Sequence, residues 1–116
     1  MHTLLLTADL MTASRVDGAA RQAGTELRTV DTAENAVAAC TDTPAILVIV
    51  DLTIQSLDVA ALVTALKALA PPPRVVAFGP HVHESALAAA RTAGCDEVLS
   101  RGQFFAQIND LFASDC

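Results

Sequence analysis

Six apolar residues in a row, Ala45-Ile46-Leu47-Val48-Ile49-Val50, run directly into Asp51. A strand with one wet face alternates apolar and polar residues, whereas a strand covered on both faces in a parallel sheet reads as a continuous hydrophobic run. The segment therefore predicts a buried parallel strand. It also sets the Asp51 carboxylate at that strand's carboxyl end, where open α/β sheets gather their functional groups.

The flanking sequence repeats the pattern. Further strands are predicted at 3–6, 27–30, 75–78 and 97–99, separated by Ala-rich stretches of helical period. Thr12 or Ser14 caps a first helix carrying Val16, Ala19, Ala20 and Ala23, and Gly24 ends it. Thr32 caps a second helix with Ala33, Ala36, Val37 and Cys40 on one face. Asp58 caps a third, whose Val59, Leu62, Val63 and Leu66 fall at i, i+3, i+4 and i+7. Pro71-Pro72-Pro73 stops it, since proline lacks the amide donor and fixes φ. A helix over 84–93 closes at Gly94, and a last one covers 103–112. Five strands alternating with five helices give an α/β fold with a parallel sheet.

Composition bounds what this fold does. The 116 residues are expected to form one domain, 1–116, and 53% apolar against 17% charged residues supplies a core. The net charge is −6, and the seven basic residues are scattered singly, which disfavours nucleic-acid binding. Aromatic residues are 3%, all Phe, so no base-stacking platform is expected. Asp9 interrupts the apolar start far short of membrane length, pointing to a cytoplasmic protein that does not engage the bilayer. Cys40, Cys95 and Cys116 are odd in number, far apart and without a close Cys or His, so they read as reduced structural thiols.

Two segments, in order, resemble a known family. Ile46-Leu47-Val48-Ile49-Val50-Asp51-Leu52 resembles the strand that bears the phosphoacceptor aspartate in receiver domains of two-component signalling, of the chemotaxis response-regulator type. Ala93-Gly94-Cys95-Asp96-Glu97-Val98-Leu99-Ser100-Arg101 resembles the segment ending in that family's lysine. The resemblance implies a flavodoxin-like, doubly wound five-stranded parallel sheet in the order 2-1-3-4-5. Its switch point falls at the carboxyl ends of strands one and three.

The resemblance also implies a set of site residues, and this chain departs from most of them. A working receiver holds Mg²⁺ with an acidic pair after strand one together with the phosphoacceptor. Here that stretch is Thr7-Ala8-Asp9, in which Asp9 is either the second acid or the residue after it, so Mg²⁺ binding at Asp9 and Asp51 is expected to be weak or absent. The Thr or Ser that bonds the phosphate after strand four is Gly79, and the lysine is Arg101, which exchanges a compact ammonium for a planar fork. The proline after that lysine is Gly102, the switch aromatic on strand five is Val98, and the usual Pro and Gly of the loop after Asp51 are Gln55 and Val59. An ion pair between Asp51 and Arg101, with loop amides completing the carboxylate's partners, is the expected use of the remaining charges.

Two further groups stand out. His81 and His83, with Glu84, lie where strand four meets its helix; exposed loop histidines or a helix cap explain them better than a metal site, and a partner contact is a further use. The last helix carries Phe104, Phe105, Ile108, Leu111 and Phe112, a wider apolar arc than one face requires. The arc is read first as core; any exposed part would suit a homodimer or a protein partner.

The expectation is a pseudo-receiver: a degenerate receiver domain that regulates by protein-protein interaction, without a cofactor, catalysis or conventional phosphorylation of Asp51. Two other readings stand beside it, a competent phosphoacceptor at Asp51 with Mg²⁺ and a small-molecule sensor at the switch-point crevice. No flavin-type phosphate loop follows strand one, and no nucleophile-base pair marks an enzyme.

Overall fold

The computed structural model describes residues 2–114. Its elements alternate as expected: β1 His2–Leu6, α1 Leu10–Ala23, β2 Leu27–Val30, α2 Ala33–Asp42, β3 Ala45–Asp51, α3 Val59–Lys67, β4 Arg74–Gly79, α4 Glu84–Ala93, β5 Glu97–Ser100 and α5 Arg101–Ser114. The five strands form one parallel sheet in the order β2-β1-β3-β4-β5.

Alternation along each strand divides the core into two layers. Leu4, Leu6, Val48, Val50, Val75 and Ala77 pack against α2, α3 and α4. Leu5, Leu47, Ile49, Val76 and Phe78 face α1 and α5. Because β3 lies between β1 and β4 and is covered on both sides, every residue from 47 to 51 is buried, which accounts for its unbroken apolar run.

Most helix ends follow from their capping residues. The Thr32 hydroxyl accepts from the Asn35 amide, and the Asp58 carboxylate accepts from the Ala61 amide. Gly24 and Gly94 take the left-handed conformation, φ 70° and 97°, that ends α1 and α4. The first helix differs from expectation: its N-cap is Asp9, and neither Thr12 nor Ser14 has that role. The helix starts at Leu10 and Met11, which are apolar but fully outward, so their hydrophobicity conceals the start.

The last helix follows the first reading of its apolar arc, as core. Phe104 and Phe112 have no exposed surface, and Ile108 and Leu111 are nearly as buried. Phe104 stacks on Phe78 with ring centroids 4.1 Å apart and planes 5° from parallel. Phe105 is half-buried beneath the Arg15 guanidinium, 3.7 Å above its ring. The exposed positions of α5 are Gly102, Gln103, Ala106, Asn109, Asp110 and Ala113. The apolar arc is therefore core, and Phe104 and Phe112 offer nothing to a homodimer or partner. Five neighbouring strands leave a broad sheet face to cover, and α5 covers it with rings. Cys40 is buried and Cys95 half-buried, both as free thiols; Cys116 lies outside the described residues. Among the described residues no helix is long and apolar enough to cross a membrane.

Candidate functional site

Strand register builds the site. Leu6 pairs with Val50 and Asp51 with Phe78, so the β1–α1 loop, Asp51 and the end of β4 meet at the carboxyl edge of the sheet. Asp51 is completely buried. A carboxylate removed from water needs donors on both oxygens, and the chain supplies three. Thr7 Oγ1 donates to Oδ2 at 2.6 Å, while the Thr53 amide and hydroxyl donate to Oδ1 at 2.9 and 2.7 Å. The Thr7 hydroxyl in turn accepts from the Asp9 amide at 3.1 Å, which ties the loop after β1 to the end of β3.

Asp9 turns its carboxylate away from this cluster. Its Oδ2 caps α1, accepting from the Thr12 hydroxyl at 2.6 Å and the Thr12 amide at 3.2 Å. Arg101, the first residue of α5, reaches the same place: it donates to Thr12 Oγ1 at 3.0 Å and lies 3.6 Å from Asp9 Oδ2. The Thr12 hydroxyl above all, then the nearby amides and the Arg101 charge, hold the Asp9 carboxyl below its ordinary value, against the effect of desolvation. The expected Asp51–Arg101 pair is thus replaced by an Asp9–Arg101 pair. Arg101 starts α5 beside α1 with its guanidinium 5.1 Å from the Phe105 ring, while Asp51 is filled by hydroxyl and amide donors.

The other implied positions are also accounted for. Gly79 is buried at the end of β4, and a Cβ there would sit 3.3 Å from Leu52 Cβ and 3.7 Å from Leu52 Cδ1. Leu52 therefore fills the space in which a Thr or Ser side chain would stand. Val98 lies on β5 opposite Ala77 and packs half-buried on the α2–α4 layer. His81 and His83 are exposed, and His83 takes the N-cap position of α4 without a side-chain hydrogen bond. Among the described residues no three His, Cys, Asp or Glu side chains converge.

Mg²⁺, which the resemblance implies, needs hard oxygen ligands about 2 Å away in near-octahedral array. The residues present do not fit it. The Asp51 oxygens are turned to protein donors, the Thr7 hydroxyl donates where a second carboxylate would accept, and Asp9 is committed to the helix cap. Sequence reasoning missed Thr53 and Leu52. The signal for Thr53 was present as Asp51-Leu52-Thr53, the spacing at which an Asp oxygen binds the amide two residues on.

No protein-family model matches the chain, and no curated protein sequence does. Solved structures do. The receiver domain of NtrX from Brucella abortus shares 23% identity over 97% of this chain and 96% of its own, with a TM-score of 0.81. A response regulator from Hahella chejuensis matches at 14% identity, over 98% of this chain and 93% of its own, with a TM-score of 0.84. A CheY-like protein, TadZ, from Pseudomonas aeruginosa matches at 19% identity, 100% and 99% coverage and a TM-score of 0.74. With its strand order and these neighbours, the chain has the flavodoxin-like receiver fold of the response regulators.

Proposed function

We propose that this chain is a pseudo-receiver, working in signal transduction or regulation through protein-protein contacts and not by phosphoryl transfer to Asp51. The observation that carries this reading is the set of three donors, the Thr7 and Thr53 hydroxyls and the Thr53 amide, that engage both oxygens of the buried Asp51 carboxylate. Phosphoryl transfer depends on positioned positive charge around the transferring group. Here the Arg101 guanidinium is held by Asp9 and Thr12, and Leu52 fills the space beside Gly79. The fold is retained because its two layers are held by apolar packing, which does not require the site's chemistry.

The test is an amide-resolved NMR titration of the protein with Mg²⁺ and then with beryllofluoride, using Asp51→Asn as control. No response at Asp51, Thr53, Gly79 or Arg101 in millimolar Mg²⁺ is expected. Saturable shifts there that vanish in the control would restore the phosphoacceptor reading.

A further inference from the structure

Beyond the plugged site, the same end of the sheet carries a cleft of about 620 Å³ between α2 and the β3–α3 loop. Its walls are apolar: Val37 from α2, Ile54 and Leu57 from the loop, and Leu62 from α3. Val37, Ile54 and Leu57 keep part of their surface exposed even though they pack on the core. Its rim is acidic, with Asp31, Glu34 and Asp58, and no Lys or Arg lines it.

Those three carboxylates differ from the paired acids of the chain. Asp9, Asp17, Asp96 and Glu97 each face an arginine or lysine, whereas Asp31, Glu34 and Asp58, like Glu26, Asp42, Glu84 and Asp110, have no ion pair among the described residues, and these three share one cleft. Asp58 Oδ1 caps α3, which accounts for that residue's presence. Asp31 makes no capping hydrogen bond, and Glu34 stands in the first turn of α2, where its charge suits the helix N-terminus; the apolar wall beside them has no part in capping. Apolar anchors with an uncompensated negative border are the complement of a positively charged amphipathic segment. Asp31 also borders a second cleft, of about 440 Å³, lined by Thr7, Asp9, Thr29 and Asn35 together with the exposed Leu10.

We infer that this cleft docks a cationic amphipathic segment of a partner protein, with its apolar side chains on Val37, Ile54 and Leu57 and its Lys or Arg residues against Asp31, Glu34 and Asp58. A small ligand fits less well, because the three carboxylates are on exposed residues and come from separate elements. The inference rests on the protein-interaction reading above and gives it a surface and a partner chemistry.

The experiment is an NMR titration of the whole protein with a synthetic Lys/Leu peptide about 18 residues long, its leucines at i, i+3, i+4 and i+7. A scrambled peptide of the same composition is the control. Saturable shifts centred on Val37, Ile54, Leu57 and Ala61 are expected for the patterned peptide. Affinity is expected to fall about tenfold in Asp31→Lys/Glu34→Lys, and to weaken with salt. If the charge reversal disturbs folding, Asp31→Asn/Glu34→Gln makes the same comparison, with a loss of about threefold expected. Shifts centred elsewhere, equal binding of the scrambled peptide or an unchanged affinity in the variant would overturn the docking site. A separate titration of the same sample with Mg²⁺ and beryllofluoride keeps the two readings apart. A response at Asp51 overturns the pseudo-receiver reading, whereas peptide failure with a silent Asp51 overturns only the cleft.

Discussion

Thr7 and Asp51, 44 positions apart in sequence, are joined by a buried 2.6 Å hydrogen bond that crosses from the end of β1 to the end of β3. Thr7→Val keeps the side chain's shape and removes the donor, leaving one oxygen of a buried carboxylate without a partner. The expected loss is about 1–3 kcal/mol, read as a lower urea midpoint at unchanged m-value.

A second carboxylate at the same position should give the site the paired hard oxygens that a divalent metal needs. Thr7→Asp sets two acids side by side at the end of the sheet, which destabilises the fold without divalent ions. Adding Mg²⁺ is expected to recover part of that loss in the variant and to leave the parent's melting temperature unchanged, because only the variant offers paired hard oxygens. Thermal melts with and without Mg²⁺ decide it.

Gly79 and Leu52 should behave as a coupled pair. Gly79→Thr forces a Cβ to 3.3 Å from Leu52 Cβ, an overpacking that costs about 1–3 kcal/mol. Leu52→Ala opens that space, so the double variant is expected to be less destabilised than the sum of the two single ones. Additive losses in a denaturation cycle would show that Leu52 does not occupy the Thr position.

His2 gives the fold a pH dependence on the acid side. The side chain is only 2% exposed and its Nε2 has no hydrogen-bond partner among the described residues. Burial first, then the Arg28 charge, lowers its pKa from the ordinary value of 6.5, with Glu26 acting the other way. The unfolded chain therefore takes up a proton near pH 6.5 that the folded one refuses, so stability is complete above about pH 7 and declines as pH falls through the lowered value. Denaturation at about pH 5.5 and about pH 7.5 should show this difference in the parent and a smaller one in His2→Leu.

Two neighbouring phenylalanines should separate by burial. Phe104 is fully enclosed and stacked on Phe78, so Phe104→Ala is expected to cost about 3–5 kcal/mol. Phe105 is half-exposed under Arg15, and its truncation is expected to cost less than half as much. Equal losses would place Phe105 in the core as well.

The sequence made the repeating units legible and left the site's contacts hidden, for a physical reason. The β3 run, the Thr32 and Asp58 caps and the glycine stops at 24 and 94 are each decided within a few residues, so local pattern is sufficient to find them. The α1 cap was misread because exposed Leu10 and Met11 follow Asp9 and hide an ordinary Asp N-cap. The Arg101 partner was misread because charge alone does not choose between Asp9 and Asp51. Position at the start of α5, the Phe105 ring and the Thr12 hydroxyl make that choice, and the Thr12 hydroxyl lies 89 positions away in sequence. Leu52 over Gly79 is a contact between two loop ends, and no periodicity announces it.

The division of the core into two layers also divides the chain's spectroscopic probes. With no Trp or Tyr in the sequence, near-ultraviolet dichroism comes from phenylalanine, and Phe78, Phe104, Phe105 and Phe112 all belong to the layer under α1 and α5. Cys40 and Cys95 belong to the opposite layer, where burial pushes both thiols up and slows their labelling, Cys40 being buried and Cys95 half-buried. In a Cys116→Ser background, ring dichroism and thiol reactivity thus watch opposite faces of one sheet. Coincident transitions would show that the two halves melt as one unit, and separated ones would show which face opens first.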